Sequence, residues 1–235
     1  MLYSLSKLLP AASTANYRHV VRAPFTRATL RCLSVGHAGL SHRQRDYALP
    51  NASWSHNMLG LYNKFMELGK TGNWQRIPSY KSTVHPVEDI PLEAERGVTR
   101  IFTRNLDKDG IGFEYCMFVN KNEKRTVCIL QPGPYLEGNA GYIHGGGIAT
   151  MIDATAGTGI IQSCGRLMTV SLTINYRTPL PVGAAVTIDS QVEKVEGRKI
   201  YSRCQVRSYD DTVLYAEATG LFVTLNPGEE EANTG

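Results

Sequence analysis

The chain has 235 residues, 42% of them apolar and 20% charged, enough for one ordinary domain with its own core plus an extension. Its net charge of +4 is uneven: residues 1–45 hold Lys7, Arg18, Arg22, Arg27, Arg31, Arg43 and Arg45 and no acid, and setting those seven aside leaves 18 basic against 21 acidic groups. A body of net −3 argues against a nucleic-acid partner, and no apolar run approaches the ~18 residues of a transmembrane segment.

Residues 1–45, rich in Arg, Ser, Thr and Ala, have the composition of a mitochondrial transit peptide, with Arg18 and Arg22 spaced to share a helix face. Lys7 and Pro10 interrupt what would be the apolar centre of a secretory signal, and a disordered basic tail is the bland alternative. Cysteines 32, 116, 128, 164 and 204 are odd in number and scattered, which suits reduced, buried thiols and neither a disulfide framework nor a zinc site. Asn51-Ala52-Ser53 spells a glycosylation sequon that a mitochondrial destination leaves unused.

Trp54, Met58, Leu61, Phe65 and Leu68 repeat at helical spacing, with Asn51 or Ser53 to cap the start and Gly69 to end it. Residues 70–98, with Pro78, Pro86 and Pro91, read as an irregular linker. The period then changes, and 101–104, 112–120 and 125–131 are short strand candidates, the latter two joined by the polar KNEK. Four longer candidates, 167–177, 184–195, 199–209 and 213–225, are divided by turns at TPLPVG, EGR and DD. Residues 228–235 read as an acidic, disordered tail.

Between the two sets of strands lies GYIHGGGIATMIDATAGTGIIQSCG, residues 141–165. Ile148, Met151, Ile152 and Thr155 mark the core face of a helix. Asp153 lies off that stripe, roughly 140° from Ile148 at about 100° per residue. Gly145, Gly146 and Gly147 let a ligand approach amides that have no helical partner, at the positive end of the helix dipole. Such a turn suits an oxyanion or a phosphate. Around Asp153 the helix is apolar, and no Lys or Arg occurs between Arg125 and Arg166. An ionised carboxylate there is costly to bury without partners, and perturbed acids collect at active sites. Close packing by the glycines and a solvated Asp are the bland alternatives.

A long apolar helix between antiparallel strands can bury itself only against the sheet. The expected fold class is therefore α+β, a curved antiparallel sheet wrapped around a central helix, the hotdog arrangement. His144 and its glycine run, Asp153 nine residues after that His, and the following TVSLTINYRTPLP resemble the hotdog thioesterases of the PaaI type. DYALPNASW, GFEY, PGPYLEG, IHGGGIATMIDAT and VEGRK resemble one branch of that family, whose members are linked to the kinase Akt and to apoptosis. The likeness runs over residues 46–227, with 46–98 as a helix and linker and 99–227 as the hotdog thioesterase domain.

The resemblance implies hydrolysis of medium- and long-chain fatty acyl-CoA, such as palmitoyl-CoA, to free fatty acid and CoA. It implies no metal and no cofactor other than the coenzyme A that is part of the substrate. The family pattern makes Asp153 the base or nucleophile and the Gly145 amide the oxyanion donor, and matches Thr169 to a hydroxyl that orients the water or the acid. It also matches Asn175, Arg177, Arg198 and Lys199 to coenzyme A contacts, where Arg grips phosphate bidentately and Lys acts as a point charge. His144 is expected to position the turn more than to catalyse. Some relatives carry Asn six residues before the His; here that position is Gly138, with Asn139 beside it.

Eight helical residues put Gly145 and Asp153 about 12 Å apart, yet both must act within about 3 Å of one thioester. Two chains with antiparallel helices meet this condition. The expected assembly is a homodimer with two equivalent sites, able to pair again into a tetramer. Asp153, Ala149, Ala156 and Ile160 are expected to share the face that the mate covers. The expected location is the mitochondrial matrix or intermembrane space, in association with the inner membrane or not, with the cytoplasm as a further site. The alternative from another class is an interaction protein that regulates Akt and apoptosis, with weak or vestigial hydrolysis. A hydratase lacks its His-containing motif here.

Overall fold

Helix α1, His56–Lys70, starts where the Ser55 hydroxyl accepts the Met58 amide, so the cap is Ser55 and not the expected Asn51 or Ser53. Asn51 is occupied one step earlier: its Oδ1 accepts from the amide and hydroxyl of Ser53, and its Nδ2 donates to Glu114. Gly69 falls inside the last turn, which closes at Thr71 through its hydroxyl bond to the Leu68 carbonyl. The computed structural model describes residues 46–79, 102–104 and 108–225. The expected leader and acidic tail lie outside the described residues.

The strands are β1 Gln75–Ile77, β2 Phe113–Asn120, β3 Arg125–Pro132, β4 Leu167–Tyr176, β5 Val186–Glu196, β6 Lys199–Ser208 and β7 Leu214–Thr224, with helix α2, Gly145–Cys164, between β3 and β4. They form one sheet in the order β1-β2-β3-β5-β6-β7-β4, and every neighbouring pair is antiparallel. Two expectations change. Residues 102–104 make a single tight turn and no strand, because Arg104 tethers instead of pairing: its guanidinium donates to the Tyr47 and Tyr115 carbonyls and lies 3.4 Å over the Tyr115 ring. Strand β1 lies within the stretch read as linker, three residues of which only Ile77 is buried, too short for a period to show.

Strand β2 is buried on both faces, and its alternate residues serve two cores. Tyr115 and Met117 join Leu130, Val186, Ile188, Val206 and Phe222 around α2. Cys116 and Phe118 face outward to α1, where Trp54, Met58, Tyr62 and Phe65 cover them. Burial pushes the Cys116 and Cys128 thiols up to about 12, as inert structural thiols require. The stretch before α1 is strapped down by polar contacts. Buried Glu114 accepts from Trp54 Nε1 at 2.8 Å and the Gly110 amide at 2.7 Å. Burial alone would raise Asp46, but Arg76 and the amides of Ser79 and Ala48 outweigh it and hold that carboxyl below its ordinary value.

Helix α2 buries Ile148, Met151, Ile152, Thr155, Ala156 and Ile160, so the sheet does wrap the helix in the hotdog manner. It wraps further than the helical period implied. Ala156 and Ile160 are each 1% exposed, which corrects the expectation that they lie bare beside Asp153. The open apolar surface is instead on edge strand β4, where Met168 is 60% and Val170 58% exposed. Among the described residues, no helix is long and apolar enough to cross a membrane.

Candidate active site

His144 is the N-cap of α2: its backbone is extended, and its Nδ1 accepts the Gly146 amide at 2.9 Å. Its own amide donates to the Leu136 carbonyl at 2.7 Å, while its carbonyl receives the Gly147 and Ile148 amides. These four bonds make His144 the peg on which the turn hangs. With Nδ1 accepting, the neutral ring carries its proton on Nε2. Among the described residues nothing accepts the Gly145 amide, the first orphan donor of the helix. It borders a depression lined also by Asn139, Ala140, Tyr142 and Pro179. A Cβ at Gly138 would meet His144 Cα at 3.0 Å, so a side chain there would press on His144, and Asn139 is the amide that lines the depression.

Asp153 is half-buried, two turns further along α2, and its Oδ1 accepts the Thr169 hydroxyl at 2.9 Å. The aim of that hydroxyl depends on an irregularity in β4. Thr169 pairs with Phe222 and Ser171 with Leu221, so two residues of β4 match one step of β7 and Val170 is the extra residue of a bulge. Side chains alternate along a strand, so the bulge reverses which parity faces the helix. Leu172 and Ile174 pack on the core beyond it, and Leu167 packs there before it, which places Thr169 on the same side. Thr169→Ala is expected to lower kcat about tenfold by freeing the carboxylate, while Thr169→Ser keeps most of the rate. Steady-state hydrolysis by the two folded variants checks this.

The four residues matched to coenzyme A do not converge within one chain. Asn175 and Arg177 sit at the end of β4 that approaches Gly145, the Arg177 guanidinium paired with Glu217. Arg198 and Lys199 lie at the β5–β6 turn; Lys199 pairs with Val223 and Val223 with Met168, beside Thr169 at the opposite end of β4. Arg198 Nε donates to the Thr224 carbonyl at 3.0 Å. From Thr169 to Asn175 is roughly 20 Å of strand. Each chain thus carries the expected site residues as two half-sets along β4, Gly145 near Asn175 and Arg177 at one end and Asp153 with Thr169 near Arg198 and Lys199 at the other, with the Asn175 and Lys199 side chains on the face of the sheet opposite α2.

The thioesterase superfamily profile matches residues 140–215, the segment that holds both half-sets. A protein of Xenopus laevis named acyl-coenzyme A thioesterase THEM4 is 58% identical over 183 residues, 78% of this chain and 82% of its own length. The chain belongs to the THEM4 and THEM5 family of the thioesterase superfamily. Other members are the Bos taurus THEM4, 46% identical over 78% of this chain and 80% of its own, and the Mus musculus THEM5, 40% identical over 79% and 77%. The likeness to these family members extends well beyond the profile. Two features of the site escaped sequence reasoning. The bulge at Val170 lies in TVSLTINY, where no Gly or Pro marks it, and Tyr176, whose hydroxyl donates to the Gly145 carbonyl at 2.8 Å, reads as one more β former.

Proposed function

We propose that this THEM4-type chain hydrolyses the thioester of medium- and long-chain fatty acyl-CoA, releasing free fatty acid and CoA. The observation that carries it is the half-buried Asp153, held by Thr169, on the same helix as the unmet Gly145 amide. The thioester carbonyl oxygen takes the Gly145 N–H, which steadies the charge that develops as the tetrahedral species forms. Asp153 either takes a proton from the attacking water or attacks the carbonyl carbon itself. Collapse expels the CoA thiolate, which takes up a proton, and where Asp153 was the nucleophile a water then cleaves the acyl-Asp153 anhydride to release the fatty acid and restore the carboxylate. Asn175, Arg177, Arg198 and Lys199 serve the phosphates and the nucleotide end of coenzyme A. The names of the relatives support the substrate class, and the leader composition supports a mitochondrial destination.

The half-sets work together in a homodimer whose central helices run antiparallel, each site taking Gly145 from one chain and Asp153 from the other. The separation of about 12 Å along one helix supports this, and so does the apolar open edge of β4. Mixing two inactive variants, Asp153→Asn and Gly145→Pro, is then expected to restore activity, to at most about half per mixed dimer. Proline is tolerated at the first helical position and deletes the amide proton, while its Cβ presses on the Tyr176 ring at 3.3 Å, so the folded state of this variant is checked before mixing. Folded, exchanging subunits that show no recovery would refute shared sites. The activity itself is tested by following thiol release from palmitoyl-CoA alongside hydration of an enoyl-CoA. Thiol release without hydration is expected; a protein inert to both would favour the Akt-regulating role.

A further inference from the structure

We infer that Tyr176 is a positioning residue that holds the first turn of α2 in the geometry the Gly145 amide needs, an inference that rests on the thioesterase reading above. Its hydroxyl donates to the Gly145 carbonyl at 2.8 Å. Its ring lies over the same residue so closely that a Cβ at 145 would meet Tyr176 Cζ and the hydroxyl oxygen at 3.3 Å. Gly145 is therefore gripped from one side by a ring that also binds its oxygen. That oxygen belongs to the peptide group whose N–H, on Gly146, donates to His144 Nδ1 at 2.9 Å. Phenol, peptide and imidazole thus form one chain of donors and acceptors, and hydrogen bonds in series polarise and stiffen one another.

The other end of the grip is equally fixed. Tyr176 pairs with Ala216 in β7, and the next two amides, of Arg177 and Thr178, both donate to the Tyr215 carbonyl. The bulge at Val170 gives Tyr176 the same parity as Leu172 and Ile174, so it faces the helix although it stands at the exposed end of an edge strand, 52% open to solvent. Strand β4 consequently holds α2 at two points with opposite functions, Thr169 on the carboxylate and Tyr176 on the oxyanion turn. Within one chain the ring is 52% exposed and contributes little packing to that chain's core, so its hydroxyl acts chiefly on the turn.

Tyr176→Phe deletes the hydroxyl and keeps the ring. In the full-length protein the expected result is a roughly tenfold to hundredfold fall in kcat for palmitoyl-CoA with KM, melting temperature and oligomeric state unchanged. Amide hydrogen exchange over residues 144–148 should quicken in the same variant without quickening elsewhere on α2. Unchanged kcat, unchanged exchange, or a loss of melting temperature that accounts for the loss of rate would each overturn the inference. If the unsubstituted chain itself releases no thiol, the thioesterase reading has failed and the catalytic part of this inference with it. Exchange then still separates a Tyr176 that holds the turn from one that does not.

Discussion

Asp153→Asn is expected to lower kcat for palmitoyl-CoA by a thousandfold or more, about 4 kcal/mol of transition-state stabilisation, with the fold intact. The substitution preserves shape, and the amide oxygen of Asn can still accept the Thr169 hydroxyl that now reaches Asp153 Oδ1. Only the charge and the basic oxygen are lost. The position is half-buried and no described Lys or Arg pairs with the carboxylate, so removing the charge leaves no orphaned cation behind. Circular dichroism and melting temperature should match the parent, and a folded variant with parental turnover would sink the assignment. Asp153→Glu moves the carboxylate by one methylene off the Thr169 bond and should recover little. If Asp153 is the nucleophile, a short incubation with substrate should leave an acyl group on it that mass spectrometry can read.

Gly159→Val is expected to cost about 3 kcal/mol of stability, at the upper end of the range for overpacking a core. A Cβ at 159 would fall on Thr126 Oγ1 and lie 3.0 Å from Thr126 Cβ, on strand β3. Thr126 is 1% exposed and its hydroxyl has no hydrogen-bond partner, so neither side of the contact can swing out to water. For a domain of this size that loss lowers the melting temperature by roughly 6–12 °C. Adding Thr126→Ala should return part of it, because the clashing oxygen goes while the 3.0 Å Cβ contact remains, and losing an unsatisfied hydroxyl costs little. Equal melting temperatures for Gly159→Val and the parent would show that the helix is free to move off the sheet. The same helix carries Asp153 against Thr169, so hydrolysis should fall along with stability.

The helix was legible because its stripe of Ile148, Met151, Ile152 and Thr155 has a period that only a helix satisfies. The same period was silent about curvature. An amphipathic stripe reports which face is buried, but Ala156 and Ile160 are covered because the sheet bends past that face, and bending is a property of strands far away in sequence. The cap was misplaced: the expected Asn51 and Ser53 bond to each other, Asn51 also reaches Glu114, 63 residues on, and Ser55 caps instead. Chemistry followed a similar division. Asp153 and the glycine turn stand out from the helical period and the apolar surroundings, whereas the partnership of Asp153 with Thr169 depends on spatial register and is anticipated only through family resemblance.

Thr169 and Thr173 stand four apart on one strand, and in a regular strand they would be equivalent, pointing the same way. Here they are opposites, one touching a carboxylate and the other turned out with Ser171 and Asn175, because Val170 inserts half a period between them. The site is in that sense keyed to arithmetic as well as to residue type. Any change that altered the count of residues between Leu167 and Leu172 by one, while leaving every remaining side chain in place, would exchange the inner and outer readings of half the strand. Chain length over those few residues is therefore as constrained as the identity of the acid it serves, and substitutions tell less about this strand than deletions do.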